Sequence, residues 1–253
     1  MKLENLKWPE VKRVARQCIA IAPIAALEQH GHHLPVVTDT AIATELAHRI
    51  ERRFPKQVVL LPTLWMGSSH HHLDLAGTMS LKSETYIQVL VEMLESIASA
   101  GFRKAILFNG HGGNHGPANE ALYRFRVIHK RADLKAVLVT YWITAADALR
   151  DLPFMKTGNI THACEYETSM MLHLRGEYVD MSKARSKIKP IKSAFLTLDG
   201  TKANVSMHYP FSEVTSGRGS MGRPEFGTAE KGRKLLDLIA GKCGEFVKEF
   251  QRW

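Results

Sequence analysis

Residues able to bind metal ions are concentrated in one stretch near the N-terminus. It runs from Ala26 to Asp39, A-L-E-Q-H-G-H-H-L-P-V-V-T-D, and follows an apolar run that predicts a buried strand. Glu28 and His30 are two residues apart, so on an extended chain their side chains leave on one face, roughly 7 Å apart at Cα. This spacing suits two neighbouring metal ions better than one. Asp39 precedes a helical pattern, where its two oxygens could cap backbone N–H groups or bridge two cations.

A second stretch, N-G-H-G-G-N from Asn109 to Asn114, lies between a predicted strand and a predicted helix. Because ligands gather at the carboxyl ends of parallel strands, His111 is expected at the same sheet edge as Glu28 and His30. Taken alone, a glycine-rich loop with one histidine indicates a functional site no more strongly than an ordinary strand-to-helix turn with no catalytic role. Two acid and histidine clusters at strand ends together predict a metal site.

The third stretch is H-A-C-E-Y-E-T-S, from His162 to Ser169, directly before an apolar helical pattern. Glu165 and Glu167 stand near the start of that helix, where a carboxylate can serve the helix terminus alone. With the earlier clusters, one added carboxylate gives the nitrogen and oxygen ligand set that zinc, manganese or iron accepts. We therefore expect a divalent metal centre built from three separated segments.

The elements expected to position these residues alternate between strand and helix. Apolar runs predict four strands, Cys18–Ala26, Val58–Leu61, Lys104–Phe108 and Leu134–Tyr141. Apolar residues at helical spacing predict five helices, Thr40–Arg53, Ser83–Ala100, Pro117–Arg131, Cys164–Arg175 and Thr228–Phe250. This alternation favours an α/β fold around a parallel sheet. Two stretches lie outside it: the long loop Leu64–Leu81, and Lys183–Gly222, which could be an antiparallel edge or an irregular flap.

The composition fits one folded domain over residues 1–253, with 45% apolar and 23% charged residues. A net charge of +9 is compatible with nucleic acid or with a small anionic substrate as the partner. The basic residues are scattered and accompany no nucleic-acid motif, so a small-molecule substrate is expected and nucleic acid is not. Three cysteines without paired spacing, and the lack of an apolar leader or a membrane-length run, predict a cytoplasmic protein with reduced thiols.

Four segments resemble motifs of the creatininase family, the creatinine amidohydrolase-like metal hydrolases. The resemblance rests, in family order, on E-Q-H-G-H-H-L-P-V-V-T-D, G-S-S-H-H-H-L-D-L-A-G-T-M-S-L, N-G-H-G-G-N and H-A-C-E-Y-E-T-S. It implies a three-layer α/β/α fold with a mainly parallel central sheet, hydrolysis of C–N amide-type bonds, and often a homohexamer. The cofactor that it implies is a pair of divalent ions per chain, zinc, manganese or iron.

Matched residue by residue, the resemblance also assigns the metal ligands. Glu28 and His111 would hold one ion, His30 would hold the second, and Asp39 would bridge them. Two cations roughly 3.5–4 Å apart can share a water, lower its pKa toward neutrality and polarise the scissile carbonyl. His162 is the candidate for carrying a proton to the leaving nitrogen, because imidazole titrates near working pH. The alternative for His162 is a structural or substrate-contacting role.

The chain departs from creatininase itself at Gly112 and Gly113. Creatininase carries Tyr-Glu there, and that Glu is a metal ligand that this chain lacks. Glu165 is expected to replace it, with Glu167 as a supporting catalytic group. We therefore expect a cyclic amide or formamide-type substrate other than creatinine. The alternatives are creatinine hydrolysis itself and a non-catalytic binding protein in which metal ions only hold the loops together.

Substrate contacts are predicted from the long loop and from the end of the fourth strand. Ser68, Ser69, His70 and His71 could donate hydrogen bonds to a carbonyl or carboxylate of the substrate. Trp142 could stack on a planar ring, or it could be a core aromatic. These five residues are the expected source of substrate selectivity.

Overall fold

A four-stranded sheet forms the middle layer of the protein in a computed structural model that describes residues 1–189, 191, 193–196, 205 and 207–253. The strands are β1 (Ile19–Ile24), β2 (Val58–Leu60), β3 (Lys104–Asn109) and β4 (Lys135–Thr140). Their order is β2-β1-β3-β4, and every neighbouring pair is parallel. The central strands are almost continuously apolar, which is typical of a parallel sheet covered on both faces.

Helices cover both faces of this sheet. They are α1 (Trp8–Val14), α2 (Thr38–Arg53), α3 (Ser83–Ser99), α4 (His115–Tyr123), α5 (Tyr141–Thr144), α6 (Ala146–Leu149), α7 (Glu165–Arg175), α8 (Phe211–Thr215) and α9 (Ala229–Phe250). Side chains of β1 alternate between two cores. Ile19 and Ile21 pack with α2, α7 and α9, whereas Ala20, Ala22 and Ile24 pack with α3 and α4. The predicted three-layer α/β/α architecture is confirmed.

One boundary difference matters for the metal centre. The predicted helix from Thr40 begins two residues earlier, at Thr38, so Asp39 lies inside the first turn of α2. Val37, the residue that precedes this helix, makes no side-chain cap. The Asp39 carboxylate instead contacts histidine side chains, as described below. A smaller difference is that α4 ends at Tyr123 and continues as a π-helical turn, Arg124–Ile128.

The stretch Lys183–Gly222 was predicted as an antiparallel edge or an irregular flap. Its described residues contain the short helix α8 and long irregular connections, in line with the second alternative. Residues 190, 192, 197–204 and 206 of this prediction lie outside the described residues. Among the helices of the described chain, none combines the length and the apolar character that a membrane span requires.

The strand order creates a switch point at the centre of the sheet. After β1 the chain crosses to β2 on one side, and it then returns to place β3 on the other side of β1. Ligands of open α/β sheets bind in the crevice outside the carboxyl ends of the strands at such a point. The segments after β1 and β3 are therefore the expected position of a functional site.

Candidate metal centre

The two central strands deliver three of the predicted ligands to one place. Glu28 and His30 follow the carboxyl end of β1, His111 follows the end of β3, and all three side chains are buried. Asn109 fixes the turn after β3, because its side chain accepts a hydrogen bond from the His111 N–H at 3.0 Å and donates to the His111 carbonyl at 2.9 Å. The predicted juxtaposition of the two strand ends is therefore present in the fold.

Asp39 lies between the histidines of these two segments. Its Oδ1 atom is 3.1 Å from His30 Nε2, and its Oδ2 atom is 2.9 Å from His111 Nδ1. The two carboxylate oxygens thus face different imidazoles. A carboxylate can bridge two cations in this way because each oxygen has its own lone pairs.

Two further carboxylates lie beside the histidines that face Asp39. Glu28 Oε1 lies 3.3 Å from His111 Nδ1, and Glu167 Oε1 lies 3.9 Å from His30 Nε2. One donor set is therefore Glu28, His111 and Asp39 Oδ2. The other donor set is His30, Glu167 and Asp39 Oδ1. Within the described residues, Glu28, His30 and Asp39 also form a group whose ligand atoms lie within 4.8 Å of one another.

The bonding state of these atoms fits divalent cations. Glu28 Oε2 and His30 Nε2 are buried, and neither has a hydrogen-bond partner. His30 Nε2 approaches Asp39 closely, but the approach is misaligned for a hydrogen bond. Buried polar atoms are normally paired, and an unpaired buried carboxylate is costly. The described residues that line the adjoining cavity include no Lys or Arg to neutralise the carboxylates. Nitrogen and oxygen donors of this kind suit zinc, manganese or iron.

The electrostatics of the cluster also favour positive charge. Burial by itself lowers the pKa of His111, but the carboxylates of Glu28 and Asp39 outweigh burial and raise that pKa to about 10. Burial also lowers the pKa of His30, but the carboxylates of Asp39 and Glu167 outweigh burial and raise that pKa well above its ordinary value. Burial opposes ionisation of Asp39, yet His30 and His111 hold its pKa below the ordinary range. A site that stabilises two imidazolium charges can exchange those protons for cations.

His162, the predicted proton carrier, stands beside this cluster. Its Nε2 atom lies 2.8 Å from the Gln29 carbonyl, an acceptor, and 3.0 Å from the Gln29 side-chain Nε2, a donor, so the two contacts require opposite tautomers. Nδ1 lies 3.5 Å from Glu28 Oε1, and His162 lines the adjoining cavity. Burial, reinforced by His30 and His72, lowers the pKa of His162 well below its ordinary value. A neutral imidazole of either tautomer has one ring nitrogen that can accept a proton.

Glu165 lies outside the cluster, which corrects the expectation that it completes the ligand set. Its carboxylate accepts hydrogen bonds from the backbone N–H groups of Lys156 and Thr157 and pairs with Lys231 Nζ at 2.6 Å. These bonds satisfy both carboxylate oxygens. Glu167, expected only as a supporting group, is the carboxylate of α7 that faces His30 and lines the cavity.

A cavity of ≈ 210 Å³ opens beside the cluster. His71 and Trp142 line it, as expected for substrate-binding residues, although Trp142 also packs against the core. Ser68 and His70 do not line it. The Ser68 hydroxyl lies 3.2 Å from that of Ser83, and His70 is exposed.

Ser69 has a different place from the one predicted. It is fully buried, and its hydroxyl lies 3.0 Å from His111 Nε2. The Ser68 carbonyl lies 3.2 Å from the same nitrogen and can accept its hydrogen. These contacts hold the ring of His111 with Nδ1 toward Asp39. The second ring nitrogen of a metal-binding histidine is usually engaged in this manner.

Three residues at the site were missed by sequence reasoning. His72 lies 3.4 Å from Glu28 Oε1, Gln29 contacts both His72 and His162, and Phe211 packs against these histidine rings beside the cavity. His72 belongs to the triplet H-H-H of the long loop, and that repetition was a signal for it. The position of Phe211 depends on the folding of the irregular segment and has no local signal.

Comparison with known proteins identifies the class. The family model Creatininase, described as creatinine amidohydrolase, matches residues 4–247. Creatinine amidohydrolase of Pseudomonas putida is 30% identical over 97% of this chain and 95% of its own length. Mycofactocin precursor peptide peptidase of Mycobacterium tuberculosis is 29% identical over 92% of this chain and 84% of its own. The chain therefore belongs to the creatininase family, and it is a hydrolase of the amidohydrolase type.

Solved structures support the fold. A crystal structure of creatinine amidohydrolase matches with a TM-score of 0.80 at 24% identity, over 98% of this chain and 97% of that chain. Other structures with the same fold are described as an Mn form and a Zn–Zn form of creatininase. At this level of identity, these similarities establish the fold alone.

Proposed function

We propose that this chain uses two divalent ions to hydrolyse a C–N bond of a small cyclic amide or formamide-type substrate. The observation that carries the proposal is the position of Asp39, whose two oxygens face His30 at 3.1 Å and His111 at 2.9 Å. Glu28 and His111 would hold one ion with Asp39 Oδ2. His30 and Glu167 would hold the other with Asp39 Oδ1.

The bound ions and the protein residues would supply different parts of the chemistry. Two divalent ions, when bound, lower the pKa of a water and polarise the scissile carbonyl. His162 accepts a proton and returns it to the leaving nitrogen, because it lines the cavity and lies beside Glu28. His71, Trp142 and the unpaired hydroxyl of Thr161 line the cavity where the substrate would lie. A cavity of ≈ 210 Å³ suits a small ring or formamide.

Gly113 leaves no room for the carboxylate that creatininase carries at this position. A Cβ atom at this position would lie 2.1 Å from the Ser68 carbonyl oxygen, 2.5 Å from His111 Nε2 and 2.9 Å from His71 Cε1. The glutamate that creatininase carries here would therefore collide with the backbone and the rings in this chain. Glu167 would provide the missing carboxylate from α7 instead.

Creatinine hydrolysis proper is the second candidate, favoured by the 30% identity with creatinine amidohydrolase of Pseudomonas putida. A non-catalytic protein stabilised by metal is less well supported. His162 lines an open cavity beside the cluster, and this position favours catalysis over a purely structural site.

The experiment that tests the proposed function is metal analysis of the purified protein and three variants. Protein prepared without chelator should hold close to two divalent ions per chain. Asp39→Ala should lower the occupancy of both sites and abolish activity, whereas His30→Ala should empty mainly one site. His129→Gln is the matched control, because His129 is exposed and its ion pair, among the residues that the structure describes, is with Glu95.

Two outcomes would contradict the proposal. A well-folded, active and metal-free wild-type protein would remove its basis. Selective loss of one and the same ion from both Asp39→Ala and His30→Ala would show that Asp39 does not bridge.

Less direct arguments bear on the oligomeric state, the number of domains, the cellular location and the metal. The resemblance to the family favours a homohexamer, and the match over residues 4–247 favours one domain spanning the chain. The three cysteines, Cys18, Cys164 and Cys243, are buried free thiols, which favours the reducing cytoplasm. Zinc, manganese and iron are all compatible with the donor set, and reconstitution of metal-free protein with each would identify the active ion.

A further inference from the structure

His72 is buried beside the proposed metal ligands. Its Nε2 atom lies 3.4 Å from Glu28 Oε1, and its Nδ1 atom lies 2.8 Å from Gln29 Nε2. Within the described residues, the ligand atoms of Glu28, His72 and His162 lie close enough together to hold an ion. His72 could therefore be a further metal ligand, or it could be a hydrogen-bond donor to a ligand.

The side-chain amide of Gln29 distinguishes these two roles. Its Oε1 atom accepts a hydrogen bond from the Gly31 N–H at 3.0 Å. In the opposite orientation the NH₂ group would face the Gly31 N–H, donor against donor, so the NH₂ group lies toward His72 Nδ1 and His162 Nε2. Because Gln29 Nε2 has only hydrogens to offer, His72 Nδ1 must accept.

The tautomer of His72 follows from this contact. A neutral imidazole whose Nδ1 accepts a hydrogen bond carries its proton at Nε2. Metal-bound histidines show the reverse arrangement, since they donate from the ring nitrogen that does not hold the metal. The protonated Nε2 of His72 lies 3.4 Å from the Glu28 carboxylate, close enough for electrostatic attraction.

We infer that His72 is a positioning residue, whose protonated Nε2 attracts the Glu28 carboxylate and whose tautomer Gln29 sets, and that it is not a metal ligand. The inference rests on the proposed function, in which Glu28 is a ligand. It makes the long loop Leu64–Leu81 part of the metal centre. Loss of a residue that supports a metal ligand typically lowers metal affinity by about 10–100-fold.

Zinc titration of the full chain against a chromophoric chelator, combined with elemental analysis, tests this role. His72→Leu removes the donor, whereas in His72→Gln the amide N–H can take the place of Nε2–H. We expect about 10–100-fold weaker zinc binding at one of the two sites in His72→Leu. His72→Gln should recover most of this affinity, and both variants should still bind two ions at saturating zinc. The exposed-residue variant His129→Gln should match the wild type.

A second variant reverses the hydrogen bond between Gln29 and His72. In Gln29→Glu, a carboxylate can accept from the Gly31 N–H and also from His72 Nδ1–H. The proton of His72 then moves to Nδ1 and leaves a lone pair on Nε2. The visible spectrum of cobalt-substituted Gln29→Glu should therefore show an added nitrogen ligand, whereas the wild type and His72→Gln should share one spectrum.

Three results would overturn the inference in distinguishable ways. Loss of one zinc ion per chain from both His72→Leu and His72→Gln would make His72 a ligand. Unchanged zinc affinity in His72→Leu would show that the contact with Glu28 positions nothing. A wild-type protein that binds no zinc, manganese or iron would instead remove the proposed function on which the inference rests.

Discussion

Glu165 and Glu167 leave opposite sides of α7 and serve different parts of the protein. Glu165 Oε1 lies 2.6 Å from Lys231 Nζ on α9, whereas Glu167 Oε1 lies 3.9 Å from His30 Nε2. Positions two apart on an α-helix point about 200° apart around its axis. Only one of these carboxylates can therefore face the metal cluster, and the other is free to tie α7 to α9.

This separation of roles predicts different defects for two equivalent substitutions. Glu167→Gln should lose one of two metal ions and reduce kcat at least 100-fold, because a neutral amide is a poor ligand for a divalent ion. Glu165→Gln should keep both ions but unfold more easily, by about 3 kcal/mol, because the partly buried Lys231 loses its partner. Elemental analysis and urea unfolding measure the two effects. Loss of metal from Glu165→Gln alone would instead show that Glu165 is the metal ligand.

His162→Gln should separate proton transfer from metal binding. The glutamine amide can still donate to the Gln29 carbonyl, but it offers no basic nitrogen at the position of Nδ1. We expect kcat to fall by about 10²–10⁴-fold while metal content stays unchanged. Steady-state kinetics with metal-loaded protein provides the measurement. Full activity in His162→Gln would leave His162 with only the structural role.

Neighbouring glycines offer a matched pair for testing the support of His111. Gly113→Ala would place a methyl group 2.1 Å from the Ser68 carbonyl, so the loop must shift and the protein should lose about 1–3 kcal/mol of stability. A methyl group at Gly112 meets nothing within 4 Å, so Gly112→Ala should change stability by less than about 0.5 kcal/mol. Equal unfolding midpoints for the two variants would contradict this account of the loop.

The substrate prediction is tested by a panel of lactams, formamides, cyclic ureas and short peptides, assayed with zinc, manganese and iron. We expect efficient hydrolysis of a cyclic or formyl amide and weak or absent turnover of creatinine. Side chains near the site differ from those of creatininase, and they decide which leaving group is held in position for the reaction. Creatinine hydrolysis with kcat/KM on the order of 10⁴ M⁻¹s⁻¹ or above would contradict this expectation and leave the metal site intact.

The sequence predicted the part of the site that depends on strand ends. Glu28, His30 and His111 could be assigned together because parallel strands bring their carboxyl ends to one edge. Asp39 was correctly placed near them, although its helix begins earlier than predicted. The sheet and the main helices followed from apolar runs and helical spacing, which local sequence records directly.

The remaining contacts depend on orientations that local sequence does not record. Glu165 and Glu167 have the same chemistry, and the rotation of α7 against its neighbours decides which of them faces His30. Within the histidine triplet, the turn of the long loop buries His72 and exposes His70. Packing between distant segments decides these orientations. A sequence motif therefore identifies the residues but does not show where their side chains point.

The ion pair between Glu165 and Lys231 has a consequence for the order of events during synthesis. α7 carries Glu167 and packs against α9, and α9 is the last helix of the described chain to leave the ribosome. The strand-end residues emerge much earlier, but the surface that orients Glu167 is incomplete until α9 docks. A nascent chain from which α9 has not yet emerged therefore offers at most a partial ligand set, and full metal loading follows the docking of α9 on α7.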